Sequence, residues 1–135
     1  MSSILELDRL LQSLAPRLVE GEFVFCTLAS RRVPDGLDAV GIFQETEGTT
    51  LICRRESAVA SGLKFEGTFR QLTLTVHSSL QAVGLLAAVS TALARSGIPC
   101  NAVSAFHHDH LFVPSVHAER AMAVLRELAA AHRKP

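Results

Sequence analysis

Residues 69–76, Phe-Arg-Gln-Leu-Thr-Leu-Thr-Val, alternate in polarity: Leu72, Leu74 and Val76 fall at every second place, with Gln71, Thr73 and Thr75 between them. A period of two marks a strand with one buried face. After a turn of only a few residues, an apolar stretch at 80–96 has helical character and ends at Gly97 and Pro99. Glycine supplies the left-handed residue past a helix end, and proline stops the helix from resuming. That helix is apolar on nearly every side, so it must be covered more fully than a surface helix. A half-buried strand that turns directly into such a helix calls for a sheet on one side and helices on the other.

The rest of the chain fits this frame. Ile4, Leu7, Leu10, Leu11 and Leu14 fall at helical spacing, and Pro16 closes that helix. Residues 22–28 read as a strand apolar on both faces. A polar loop at 30–38 follows, with Pro34 and Gly36 as turn makers. Strands are expected at 39–44 and 49–53, joined by a hairpin turn ending in Gly48, then a short helix over 56–62. Beyond the long helix come strands at 98–106 and 111–113, with His107, His108, Asp109 and His110 as their turn, and a last helix over 115–131. The order is αβββαβαββα, an α+β chain with mostly hairpin-connected strands. No Pro/Ser-rich linker interrupts it.

Hydrophobic residues make up 48% of the 135, enough for a sizeable core. The seven phenylalanines lie mostly in the expected strands and lack the interleaved basic residues that stack and neutralise single strands. Thirteen Lys/Arg balance thirteen Asp/Glu. With no basic excess to neutralise phosphates, no nucleic-acid partner is expected. The longest apolar run, 82–94, is shorter than the roughly 20 residues a bilayer span needs, and no signal segment opens the chain. No membrane partner is expected, and the expected location is cytoplasmic. Cys26, Cys53 and Cys100 are odd in number and form no CxxC pair, so they read as buried thiols of a reducing compartment.

Three places could carry chemistry. The strand-to-helix turn at 76–84 combines Ser78, Ser79 and Gly84 with the unsatisfied N–H groups and partial positive charge of a helix start, which suit a carboxylate or phosphate. The same residues also suit plain capping and close packing. The His107–His110 turn offers imidazole and carboxylate, but neighbours on an extended chain point in opposite directions. At most two could converge on one ion, so no metal and no cofactor are expected. Cysteines and histidines coexist, yet no nucleophile elbow or glycine-rich phosphate loop is present, so no catalytic residue is assigned and no enzyme is expected.

The second half, FRQLTLTVHSSLQAVGLLAAVSTALARSGIPCNAVSAFHHDHLFVP and the helix after it, resembles an ACT domain. The likeness rests on the Leu72–Val76 strand, the tight turn at His77–Ser79, the helix ending in Ser-Gly-Ile, and the hairpin bearing Asp109 ahead of His-Leu-Phe-Val. The first half resembles the partner half of small bacterial paired-ACT proteins, and segments of eukaryotic arginine-sensing ACT proteins. The resemblance implies a ferredoxin-like βαββαβ sandwich of two intertwined ACT-like halves, residues 1–68 and 69–135, with an antiparallel sheet and helices on one face. No strand follows the last helix and a helix opens the chain, so the halves must complement each other or pair in a dimer. By resemblance, a ligand sits at His77, Ser78, Ser79 and Leu80, with Gly84 beyond, and Asp109 faces its ammonium. The chain is then expected to be a homodimeric module that binds an amino acid or similar small ligand. The other reading is an interaction module that binds nothing small.

Overall fold

The computed structural model describes residues 3–76 and 83–133, with side chains from Glu6 onward. The elements are α1 (Ser3–Gln12), β1 (Pro16–Leu18), β2 (Phe23–Leu28), β3 (Ala39–Gln44), β4 (Thr49–Arg54) and α2 (Arg55–Ala60). After them come β5 (Phe69–Leu74), α3 (Leu85–Arg95), β6 (Asn101–Ser104), β7 (Asp109–Pro114), a 3-10 turn (Ser115–His117) and α4 (Ala118–Arg133). They form two compact units: unit I is Glu20–Arg70, and unit II is Met1–Val19 with Gln71–Pro135.

In unit II the strands lie in the order β6-β7-β5-β1. Read along the chain from β5, that is the second, third, first and fourth strand of a ferredoxin-like unit. The fourth place is filled by β1, which pairs antiparallel with β5 through Pro16↔Leu74, Arg17↔Thr73 and Leu18↔Leu72. The closing place of this sheet is therefore filled by a strand that precedes the other three in sequence. Proline suits this place because it opens an edge strand and needs no ladder donor. One face of the sheet carries Leu72, Leu74, Leu111 and Val113, all fully buried. Leu11 of α1, Val89 and Leu93 of α3, and Ala121, Leu125 and Ala129 of α4 close over it. The alanines of α4 leave it thin enough for α1 and α3 to pack on either flank.

In unit I the order is β3-β4-β2, with β5 beginning beside β2 at Phe23↔Phe69. This is again second, third, first and fourth. The helix that should join the first strand to the second is absent, and residues 29–38 span that gap without regular structure. Val33 and Leu37 of this loop pack on the core of Val24, Cys26, Leu51, Cys53 and Ala58. The short α2 covers the same face. Gly48 closes the β3–β4 turn at φ 152°, its N–H and carbonyl bonded to Glu45.

The α+β, ferredoxin-like expectation is borne out. Several boundaries differ. Pro16–Leu18 is a strand, where the sequence shows only a helix stop. The strand expected over 98–106 shrinks to Asn101–Ser104, and its partner lengthens to begin at Asp109, because pairing across the hairpin runs only from Asn101↔Phe112 to Ser104↔Asp109. Residues 3–19 pack in unit II, the apolar face of α1 lying against α4. The long helix is described only from Leu85, so Gly84 precedes it.

Candidate functional site

The residues the sequence points to fall between β5 and α3 and on the β6–β7 hairpin of unit II. Of the expected site residues, His77, Ser78, Ser79 and Leu80 lie outside the described residues; Gly84 and Asp109 lie within them. Gly84 is the N-cap of α3, in the left-handed region at φ 100°. It has no side chain to fold back on the first amides of the helix. It is also tightly packed: a β-carbon there would lie 2.9 Å from Leu7 Cδ2. The glycine is thus needed for backbone angle and for contact with α1.

Asp109 opens β7, half-buried and paired with Ser104 across the hairpin. Ala105 N–H donates to the His108 carbonyl at 3.0 Å and closes the turn. His108 leans toward β5: its Nδ1 lies 3.4 Å from the carbonyl oxygen of Val76, the last residue before the strand-to-helix turn. The hairpin tip and the end of β5 are therefore neighbours. Phe106 and Val83, both strongly exposed, carry apolar surface beside them in sequence.

The histidines of the turn diverge. His107 sits edge-on to Phe106, ring centroids 5.0 Å apart. His110 Nδ1 lies 3.1 Å from Gln71 Nε2 and 3.0 Å from Thr73 Oγ1, on the face of the sheet away from the helices. Both neighbours can donate to it, which requires an unprotonated Nδ1. Burial, then the nearby charge of His108, and more weakly Arg17, push the His110 pKa below its ordinary 6.5, while Asp109 pulls the other way. Among the described residues, no group of three or more His, Cys, Asp or Glu is placed to hold a metal ion.

The cysteines offer no ready nucleophile. Cys53 is fully buried, and burial with Cys26 beside it pushes its thiol up to about 11. Burial raises Cys26 and Cys100 as well. A thiol raised this way stays protonated at neutral pH and is a poor attacking group. Among the described residues, no helix is long and apolar enough to cross a membrane. The His110 cluster escaped the sequence reading. Its partners stand 37 and 39 residues away, and only the neighbouring of β5 and β7 joins them.

Two ACT domain family models match the chain, one over residues 2–70 and one over residues 66–127. They overlap at 66–70, where β5 begins. No curated protein matches in sequence. Among solved structures, a Vibrio cholerae protein described as of unknown function and a possible transport protein is 42% identical; the alignment covers 95% of this chain and 99% of that one, with a TM-score of 0.85. An Agrobacterium tumefaciens protein is 21% identical over 86% of this chain and 89% of that one, with a TM-score of 0.72. The ligand-free regulatory subunit of aspartate kinase from Thermus thermophilus is 12% identical over 84% and 95%, with a TM-score of 0.60, and shares the fold.

Proposed function

The chain belongs to the ACT-domain family, and from that premise we propose that it is a regulatory module that binds an amino acid or similar small molecule and performs no reaction. ACT domains are typically small-ligand regulatory modules. One observation carries the reading for this chain. His108 brings the β6–β7 hairpin against the end of β5, 3.4 Å from the Val76 carbonyl. The hairpin that carries Asp109 then adjoins the strand end from which the chain leaves toward α3.

In this proposal His77, Ser78, Ser79 and Leu80, with Gly84 setting the start of α3, receive the α-carboxylate. Backbone N–H groups and the helix dipole favour the negative charge there. Asp109 receives the α-ammonium through a charge-assisted hydrogen bond. The bound ligand acts by population shift, favouring the arrangement of the chain that holds both groups at once. The proposed working form is a cytoplasmic homodimer. Three free thiols suit a reducing compartment.

Thermal melting against each of the twenty amino acids at millimolar concentration tests the proposal. A rise in melting temperature with one or a few, lost in Asp109→Ala, is expected. No rise with any of them would remove the reading. The rival reading, a module that only binds another protein, draws on β3, an edge strand on which Val40, Ile42 and Phe43 are 51%, 52% and 72% exposed. A partner captured equally by wild type and Asp109→Ala, with no small-molecule response, would favour that rival.

A further inference from the structure

Unit I contains a cleft of about 800 Å³ lined by Phe25 and Thr27 of β2, Phe69 of β5, and the run Leu63, Lys64, Phe65 and Glu66 between α2 and β5. Its size falls in the range of small-ligand sites. The walls are set by packing. Leu63 and Phe65 lean on the core of Val24, Cys26 and Leu51. The Phe25 and Phe69 rings hold one another edge to face, centroids 5.1 Å apart at 71°.

Burial alternates along residues 63–66. Leu63 and Phe65 are half-buried, whereas Lys64 and Glu66 are exposed. Both charged residues line the cleft. Among the described residues, neither is paired with another charged side chain. Unlike charges left side by side beside an aromatic wall match a ligand that is itself a small zwitterion with an apolar body. Lys64 meets its carboxylate, Glu66 its ammonium, and the rings its side chain.

We propose that this cleft is a second binding site, selective for an α-amino acid with an aromatic or bulky apolar side chain. It lies wholly within unit I and shares no residue with the hairpin end of unit II. The proposal goes beyond the function argued above and stands or falls apart from it.

The test is amide chemical-shift mapping of the full ¹⁵N-labelled chain with L-phenylalanine, glycine and N-acetylphenylalanine amide. Saturable shifts at Thr27, Lys64, Glu66 and Phe69 are expected with L-phenylalanine. Glycine, which has no ring, and the amide, which has neither end charge, should bind about tenfold more weakly or less. Lys64→Glu should weaken L-phenylalanine about tenfold, and Asp109→Ala should leave this site unchanged. Lys64 is exposed, so its variant is expected to fold; an unchanged far-UV spectrum checks this. Shifts confined to residues 83–85 and 105–109 would overturn the proposal while leaving the first site standing. Equal binding of the uncharged amide, or no loss in Lys64→Glu, would overturn the zwitterion assignment.

Discussion

Units I and II share one strand order but are covered differently. In unit II, α3 joins the first strand to the second, and α1 and α4 add to it, so three helices bury one face of the sheet. In unit I the same connection is the loop 29–38, which contributes Val33 and Leu37 in place of a helix face, beside the six-residue α2. The difference teaches that strand pairing and alternation carry this topology. A connecting helix can be replaced by a loop, provided a few apolar side chains still reach the core. The cost falls on core size. Each buried leucine contributes about 1.5–3 kcal/mol, and unit II has many more of them.

The largest effect that sharpens this contrast is a truncation in the centre of unit II. Leu125→Ala should lower stability by about 2–5 kcal/mol in urea unfolding. Leu51→Ala in unit I should fall at the low end of that range, because the smaller core around it can collapse more easily. Equal losses would break the comparison. Amide exchange should show the same order, with β2–β4 opening more readily than β5 and β7.

A second pair tests two glycines whose surroundings differ. At Gly48 a β-carbon would lie 2.5 Å from the Leu28 carbonyl oxygen, a backbone atom fixed by strand pairing. At Gly84 it would meet only the end of the Leu7 side chain. Both sit at positive φ. Gly48→Ala should cost about 2–3 kcal/mol and Gly84→Ala about 1–2 kcal/mol, since Leu7 can turn aside and leave mostly the backbone strain. Thermal unfolding of the two variants measures the difference.

The smallest effect is a pH dependence belonging to unit II alone. The folded His110 has a pKa below its ordinary 6.5, so the unfolded chain takes up the proton first as pH falls. The stability from neutral His110 is full above 6.5 and is lost as pH drops through the lower folded value. Burial is the largest cause of the lowering; His108 and Arg17 add to it and Asp109 opposes it. His110→Asn should flatten the stability profile in that window, and a profile unchanged from wild type would remove the linkage.

Much of this architecture was legible in the residues. Leu72, Leu74 and Val76 announced a one-faced strand, and Gly97 with Pro99 announced where α3 ends. Those signals are local, set by backbone angles and side-chain period. The apolar face of α1 was equally plain, though not which sheet it covers. Pro16–Leu18 gave no sign of being a strand: three residues are too few to show a period, and they are extended because β5 offers them partners. Gly84 was visible as a small residue, but its reason, Leu7 pressing on it from a helix more than seventy residues earlier, was not. Asp109 was named only through the family resemblance, and His108's approach to Val76 depends on β7 lying next to β5.

Composition and pattern by themselves determined an α+β layering, the element types, and a chain with neither a basic excess nor a long apolar span; the family entered through the resemblance of its motifs. Tertiary structure alone decided that the start of the chain closes unit II, that a loop stands where unit I lacks a helix, and that Lys64 and Glu66 border an aromatic cleft. The physical reason is range. Periodicity and capping act over a few residues and are written in order along the chain, whereas strand neighbours, core partners and cleft walls are chosen by which distant surfaces exclude water together.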